Sequence, residues 1–101
     1  MAHEGYHEDR SDLGDTTREM HRAIESLIEE LEAIDWYQQR VDACRDVDLK
    51  AILAHNRDEE KEHAAMVLEW IRRHDAALDH ELRDYLFKAG SIAGKEHDQR
   101  N

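Results

Sequence analysis

Glu60 and His63 form a Glu-x-x-His tetrapeptide in the second half of the chain. On a helix that spacing puts a carboxylate and an imidazole on one face, close enough to grip a single cation. Alone the tetrapeptide is weak, because such pairs arise by chance on solvated helix faces. Its setting gives it weight. Along a heptad seam the second half reads Leu49, Leu53, Asn56, Glu60, His63, Val67 and Trp70, apolar at both ends and polar in the middle. The first half reads Ala23, Leu27, Glu30, Ile34, Tyr37 and Val41, one glutamate in an otherwise apolar row. A carboxylate or imidazole in a core row is costly unless it is paired or holds a metal. Oxygen ligands with one histidine suit iron or manganese better than a structural zinc site. The single cysteine, Cys44, falls in a connection away from this layer and is not counted as a ligand.

The elements that carry these residues are helices. The chain has no proline and four glycines among 101 residues, and its Glu, Ala, Leu and Arg content favours helix. A first helix starts near Asp15-Thr16-Thr17, with a hydroxyl or carboxylate cap, and runs to about Ala43, with Met20, Ile24, Leu27, Leu31 and Ile34 at steps of three and four. After Cys44-Arg45-Asp46, capped by Asp46 or Asp48, a second runs from about 47 to 73. The short connection makes the pair an antiparallel hairpin. A third, shorter helix covers about 76 to 88, with Gly90 ending it. Residues 1–14 read as a disordered arm, 15–90 as the helical domain and 91–101 as a flexible tail.

Two helices of about 28 residues are each ~42 Å long, and a single hairpin buries only one stripe of each. With 39% charged residues and a mean hydropathy of −0.95, the chain has a marginal core by itself. A second copy completes a four-helix bundle about a two-fold axis. It also completes the site. Glu30 and Glu60 lie at matching distances from the loop, hence at one height. Di-iron bundles of the ferritin type use a Glu from each of two helices and a Glu-x-x-His from each of two more; one chain holds half of that set, and a dimer would hold two irons.

The segments Ile28-Glu29-Glu30-Leu31-Glu32-Ala33-Ile34-Asp35-Trp36-Tyr37, His55-Asn56-Arg57-Asp58-Glu59-Glu60-Lys61-Glu62-His63-Ala64, Leu68-Glu69-Trp70-Ile71-Arg72-Arg73 and Tyr85-Leu86-Phe87 resemble those of the encapsulated ferritins, over about residues 15 to 93. The resemblance implies an all-α half-ferritin hairpin that dimerises into a ferroxidase centre, with five dimers closing into a ring, and a surrounding encapsulin shell in the cytoplasm that stores the oxidised iron. It implies that Glu30, Glu60 and His63 are the di-iron ligands, Glu60 bridging. Tyr37 would donate a hydrogen bond to a ligand. Glu29 and Glu32 would form an uptake site for Fe(II), or for calcium or another divalent ion, with Trp36 beside it. Members usually carry a longer C-terminal extension ending in a Gly-Ser-Leu-type docking peptide; the sequence stops at Asn101, which points to a truncated chain or a copy that is not cargo.

The residues also have blander readings. Glu29 and Glu32 could be a solvated acidic face, although no lysine stands at i+4 to relieve the charge. Trp36, Trp70, Met20 and Met66 fit packing. His55 fits the surface, and His3 and His7 at i, i+4 fit an arm that binds stray metal at most. The rival from another class is a non-enzymatic helical interaction module whose polar layer fixes register, as a buried Asn does in a coiled coil. A di-iron oxygenase or peroxidase is a second rival, set back by a layer crowded with acid and without a segment to enclose an organic substrate.

The remaining composition excludes several classes. With 14 Lys and Arg against 25 Asp and Glu the formal charge is −11, which repels nucleic acid and anionic lipid and attracts cations. No apolar run approaches the ~20 residues of a membrane span. One cysteine and no apolar leader fit a soluble protein of the reducing cytosol. Burial of the carboxylates should raise their pKa values without metal, leaving a metal-free dimer weaker at neutral pH and above.

Overall fold

The computed structural model describes residues 5–94. Among them, the elements are a 3-10 turn at Arg10–Asp12 and three α-helices, α1 (Asp15–Ala43), α2 (Val47–Arg73) and α3 (Ala76–Tyr85). The chain divides into two compact units, one through Ile71 and one from Arg72 onward.

In the first unit α1 and α2 form the antiparallel hairpin. Cross-helix partners show this directly: Arg57 reaches Gln38, His63 reaches Glu30, and Met66, Val67 and Trp70 line one depression with Glu19, Arg22, Ala23 and Ser26. As the position on α2 rises, the position of its partner on α1 falls. The loop keeps α2 in place because Asp46 caps it, accepting from the Leu49 N–H at 2.8 Å. At the other end of the loop the Cys44 N–H donates to the Arg40 carbonyl at 2.9 Å, closing α1.

The expected inner row of α1 is the one observed: Ala23, Leu27, Glu30, Ile34 and Tyr37 are half-buried and Val41 is buried. For α2 the register differs. Its inner row is Leu53, Arg57, Glu60, Ala64, Val67 and Ile71, with Ala64 and Ile71 buried. His63 lies on the flank of that row, and Trp70 and Met66 are exposed rather than packed inside the hairpin. The observed row shares Leu53, Glu60 and Val67 with the expected seam but takes Arg57, Ala64 and Ile71 where the seam had Asn56, His63 and Trp70, an offset of one residue, or about 100° around the helix. Among the described residues only Val41, Ala64 and Ile71 are buried, while Ile24, Ile28, Leu31, Trp36, Leu49 and Ile52 stand among the exposed large hydrophobics.

The first helix starts without the expected side-chain cap. Gly14 takes the cap position and makes no side-chain bond; instead the Arg18 guanidinium folds back to donate to the Leu13 carbonyl at 3.1 and 2.8 Å. Residues 5–14 also depart from a disordered arm. Asp9 accepts from the Ser11 N–H to start the 3-10 turn, Tyr6 stacks on His21 with ring centroids 4.3 Å apart, and Gly5, at φ +75°, passes so close to Glu25 and His21 that a Cβ would clash. Tyr6 and Arg18 give the segment local anchors that its polar composition did not reveal. His7 is exposed there; His3 lies outside the described residues.

In the second unit, α3 is capped by Asp75, whose carboxylate accepts from the Leu78 N–H at 2.9 Å. The helix stops at Tyr85, short of the expected 88. Phe87, not Gly90, takes up the left-handed backbone next to the helix end, at φ +60°, a conformation that terminates helices and is normally left to glycine. Asp79 is matched with two bases: Arg72 donates to it and Arg83 Nε lies 2.9 and 3.1 Å from its two oxygens.

Candidate metal centre

Halfway along the hairpin, Glu30 from α1 meets Glu60 and His63 from α2. One ligand atom from each lies within 4.8 Å of the others, the one group of this kind among the described residues. His63 Nδ1 is 3.6 Å from Glu30 Oε2 and 3.5 Å from Glu60 Oε1, longer than a hydrogen bond. The spacing is that of side chains gathered about a common point. Glu30 and Glu60 are the inner pair, with side chains 23% and 22% exposed, while His63 at 43% opens to solvent on the flank. The site is therefore a half-cup, walled by the two helices and open to solvent on the His63 side.

Its electrostatics are those of too much acid. The Glu30 carboxyl is held above its ordinary pKa, first by its hydrogen bond to Glu60, then by partial burial and by the negative charges of Glu60 and Glu29; His63 acts in the opposite sense. Arg57, one turn along α2, is no counter-ion to the cluster. It is committed to Asp58, 3.0 Å away, whose carboxyl it holds below its ordinary value with help from Lys61. A divalent cation would offset the negative charge that the two carboxylates bring together. Two carboxylates and one imidazole form a donor set that suits iron or manganese.

The other expected site residues fall around this cluster. Glu29 and Glu32 are exposed; Glu29 is near enough to influence Glu30, and neither forms an ion pair among the described residues. Trp36 is exposed one turn beyond Glu32. Tyr37 is half-buried on the Glu30 row, but within one chain it makes no hydrogen bond to the three ligands; the Arg40 guanidinium lies over its ring at 5.1 Å. His55 stands apart on the surface beside Glu59 at 3.8 Å, and Cys44 is in the loop, its thiol 3.6 Å from the Asp46 carbonyl. Sequence reasoning passed over Arg57 and Gln38, joined across the hairpin one turn from the ligands at 2.9 Å. The signal was present: Arg57 stands three residues before Glu60 in the same row. No described helix is long and apolar enough to cross a membrane.

Residues 5–89 match the family model described as EncFtn-like. The chain is 61% identical over 90 residues to an encapsulated ferritin-like protein of Rhodospirillum rubrum, covering 89% of this chain and 64% of that one. A ferritin-like protein of Thermotoga maritima is 54% identical over 82 residues, 81% of this chain and 72% of its own. An encapsulin nanocompartment cargo protein of Myxococcus xanthus, EncC, is 49% identical over 61 residues, 59% of this chain and 47% of its own. The chain thus spans just under two thirds of the Rhodospirillum relative's length. The crystal structure of a Nitrosomonas europaea protein superposes with a TM-score of 0.85 at 70% identity, covering 88% of this chain and 98% of that one.

Proposed function

This chain belongs to the EncFtn-like family, and from that premise we propose that it is a ferroxidase, oxidising Fe(II) at a di-iron centre made by two copies of the chain. The observation that carries the reading is the Glu30, Glu60, His63 cluster, with one ligand atom from each residue within 4.8 Å of the others. One chain presents three ligands on an open flank. A second copy related by a two-fold axis brings three more, covers exposed apolar residues of α1 and α2, and places two Fe(II) side by side. Paired iron can pass two electrons to one O2, which with two protons leaves as hydrogen peroxide.

The chain's own residues have distinct tasks in this scheme. Glu30 and Glu60 would bind the Fe(II) substrate, and their hard oxygens would favour the Fe(III) product. His63 would hold the metal from the flank, with Glu60 as the ligand shared between the two metals. Tyr37, on the Glu30 row, donates to a ligand carboxylate once the dimer forms. Glu29 and Glu32, unpaired and exposed, collect Fe(II) or another divalent ion, calcium included, beside Trp36. Relatives named as encapsulated and as encapsulin cargo support a setting inside an encapsulin shell; that this shell lies in the cytoplasm and stores the oxidised iron, and that the dimers form a ring of five, are part of the proposal.

Mixing protein with Fe(II) without oxygen, admitting air and following ferric absorbance tests the activity. Wild type should oxidise iron rapidly, and Glu30→Ala, Glu60→Ala and His63→Ala should not. A wild-type rate equal to that of buffer would leave the polar layer as a register device in a non-enzymatic helical module.

A further inference from the structure

The metal centre is split between two helices, Glu30 on α1 and Glu60 with His63 on α2, so its geometry depends on how far one helix is slid along the other. A slide of one residue is about 1.5 Å, enough to separate ligands that now lie within 4.8 Å of one another. Little in the hairpin core resists such a slide. Ala64 is the buried residue nearest this height, the others being Val41 and Ile71 far along their helices, and an alanine is too small to interlock. A directional link is needed nearby, and α2 has one a turn away from Glu60. Arg57 Nη1 donates to Gln38 Oε1 at 2.9 Å across the hairpin.

Both ends of that link are braced. Arg57 Nε is fixed by Asp58 Oδ1 at 3.0 Å, which Lys61 also approaches at 3.4 Å. Gln38 uses its other amide atom, Nε2, to donate to Asp42 at 3.0 Å on its own helix. The amide therefore has one orientation in which both bonds form, with its oxygen toward Arg57. The guanidinium is largely enclosed, its side chain 20% exposed, and its charge is met by Asp58, so it adds direction between the helices without supplying the cation that the ligand cluster lacks. An arginine aimed at Glu30 and Glu60 would compete with metal; this one does not.

We propose that Arg57 and Gln38 are the positioning pair of the metal centre: their bond sets the register of α1 against α2 and so brings Glu30 to Glu60 and His63 before metal arrives. The proposal rests on the metal-centre reading above. Neither residue touches the metal; both act through the ligands.

The test uses the full chain and Co(II) as a spectroscopic probe. Arg57→Leu, Gln38→Leu, the double variant and Arg57→Lys are compared with wild type for Co(II) affinity, visible ligand-field spectrum and helical content. Each leucine variant should bind Co(II) about 10 to 100-fold more weakly, the usual effect of removing a residue that orients a ligand, with an altered spectrum and unchanged helicity. The double variant should be no worse than the weaker single one, because both remove one bond. Lysine, which cannot hold Asp58 and Gln38 together in the same fork, should recover only part of the loss. Affinity and spectrum within twofold of wild type in both leucine variants would overturn the proposal, as would losses that add in the double variant. Failure of the metal reading shows differently, as a wild type that binds no Co(II) or a Glu60→Ala variant that binds it equally well. Register is then read without metal, from the distance between spin labels at positions 35 and 62 in a Cys44→Ser background diluted with unlabelled protein. A shifted or broadened distance in the leucine variants supports the pair, and an unchanged one overturns it.

Discussion

Glu30 and Asp79 are both carboxylates on helices of one small acidic chain, and their surroundings push them in opposite directions. Asp79 in the second unit accepts from Arg72 and Arg83 and is held below its ordinary pKa by those two bonds. Glu30 in the hairpin faces another carboxylate and is held above its own. The first neighbourhood is complete: acid has met base, and nothing further is called for. The second sets acid against acid. Two carboxyls brought together by separate helices, with Arg57 turned away to Asp58, make a place where a divalent cation would supply the positive charge that no arginine or lysine among the described residues brings to them. Acidity by itself therefore says little here; what distinguishes the two regions is whether the positive charge is built in.

The sharpest way to break this contrast is to remove the ligands. Glu60→Ala should reduce the rate of Fe(II) oxidation by about 100-fold or more, beyond the effect of altering residues that merely orient ligands, whereas Asp79→Ala should leave it nearly unchanged; stopped-flow ferric absorbance measures both. A smaller effect should follow from charging the apolar surface beside the cup. Leu31→Asp should weaken self-association at least about tenfold, as expected for disrupting a buried interface contact, and sedimentation velocity would show it. If association is untouched, the second copy covers a different face.

The pH response gives the contrast a sign. Because folding raises the Glu30 pKa, its contribution to the metal-free protein is fully present below the ordinary glutamate value of 4.5 and is lost as pH rises through the higher folded value. Asp79 behaves in reverse: its contribution is present above the ordinary 3.8 and is lost as pH falls through the depressed folded value. Thermal unfolding of metal-free protein from pH 3 upward should therefore show Glu30→Gln removing a loss on the rising side and Asp79→Asn removing a loss on the acid side. The smallest expected effect is at Glu29 and Glu32: the double alanine variant should slow iron uptake only modestly, and the difference should fade with added salt, as exposed charges are screened.

The hairpin was legible because its signals are local and redundant. The α1 row from Ala23 to Val41, the short connection and the Asp46 cap each point to the same structure. The gathering of Glu30, Glu60 and His63 was legible for the same reason, as breaks in an apolar pattern at one height. Less was visible where the outcome depends on contacts between distant residues. The register of α2 turned on a choice between two rows one residue apart, Asn56, His63 and Trp70 or Arg57, Ala64 and Ile71, both of which repeat every seven residues, so that heptad counting alone could not separate them. The ordering of residues 5–14 depends on Tyr6 finding His21 and Gly5 finding Glu25, pairings that no periodicity announces. Arg57 was hidden by its type: an arginine in a helix normally means a solvated face, and only the Gln38 partner reveals an inward role.

Native mass spectrometry of wild type and His63→Ala, each with and without Fe(II), counts subunits and metals in the same particle and so asks whether iron is held between two copies of the chain. Iron should appear only in assemblies with an even number of chains, two irons for every two chains, and should be lost from the variant. Iron retained by single chains, or carried equally by His63→Ala, would contradict this arrangement.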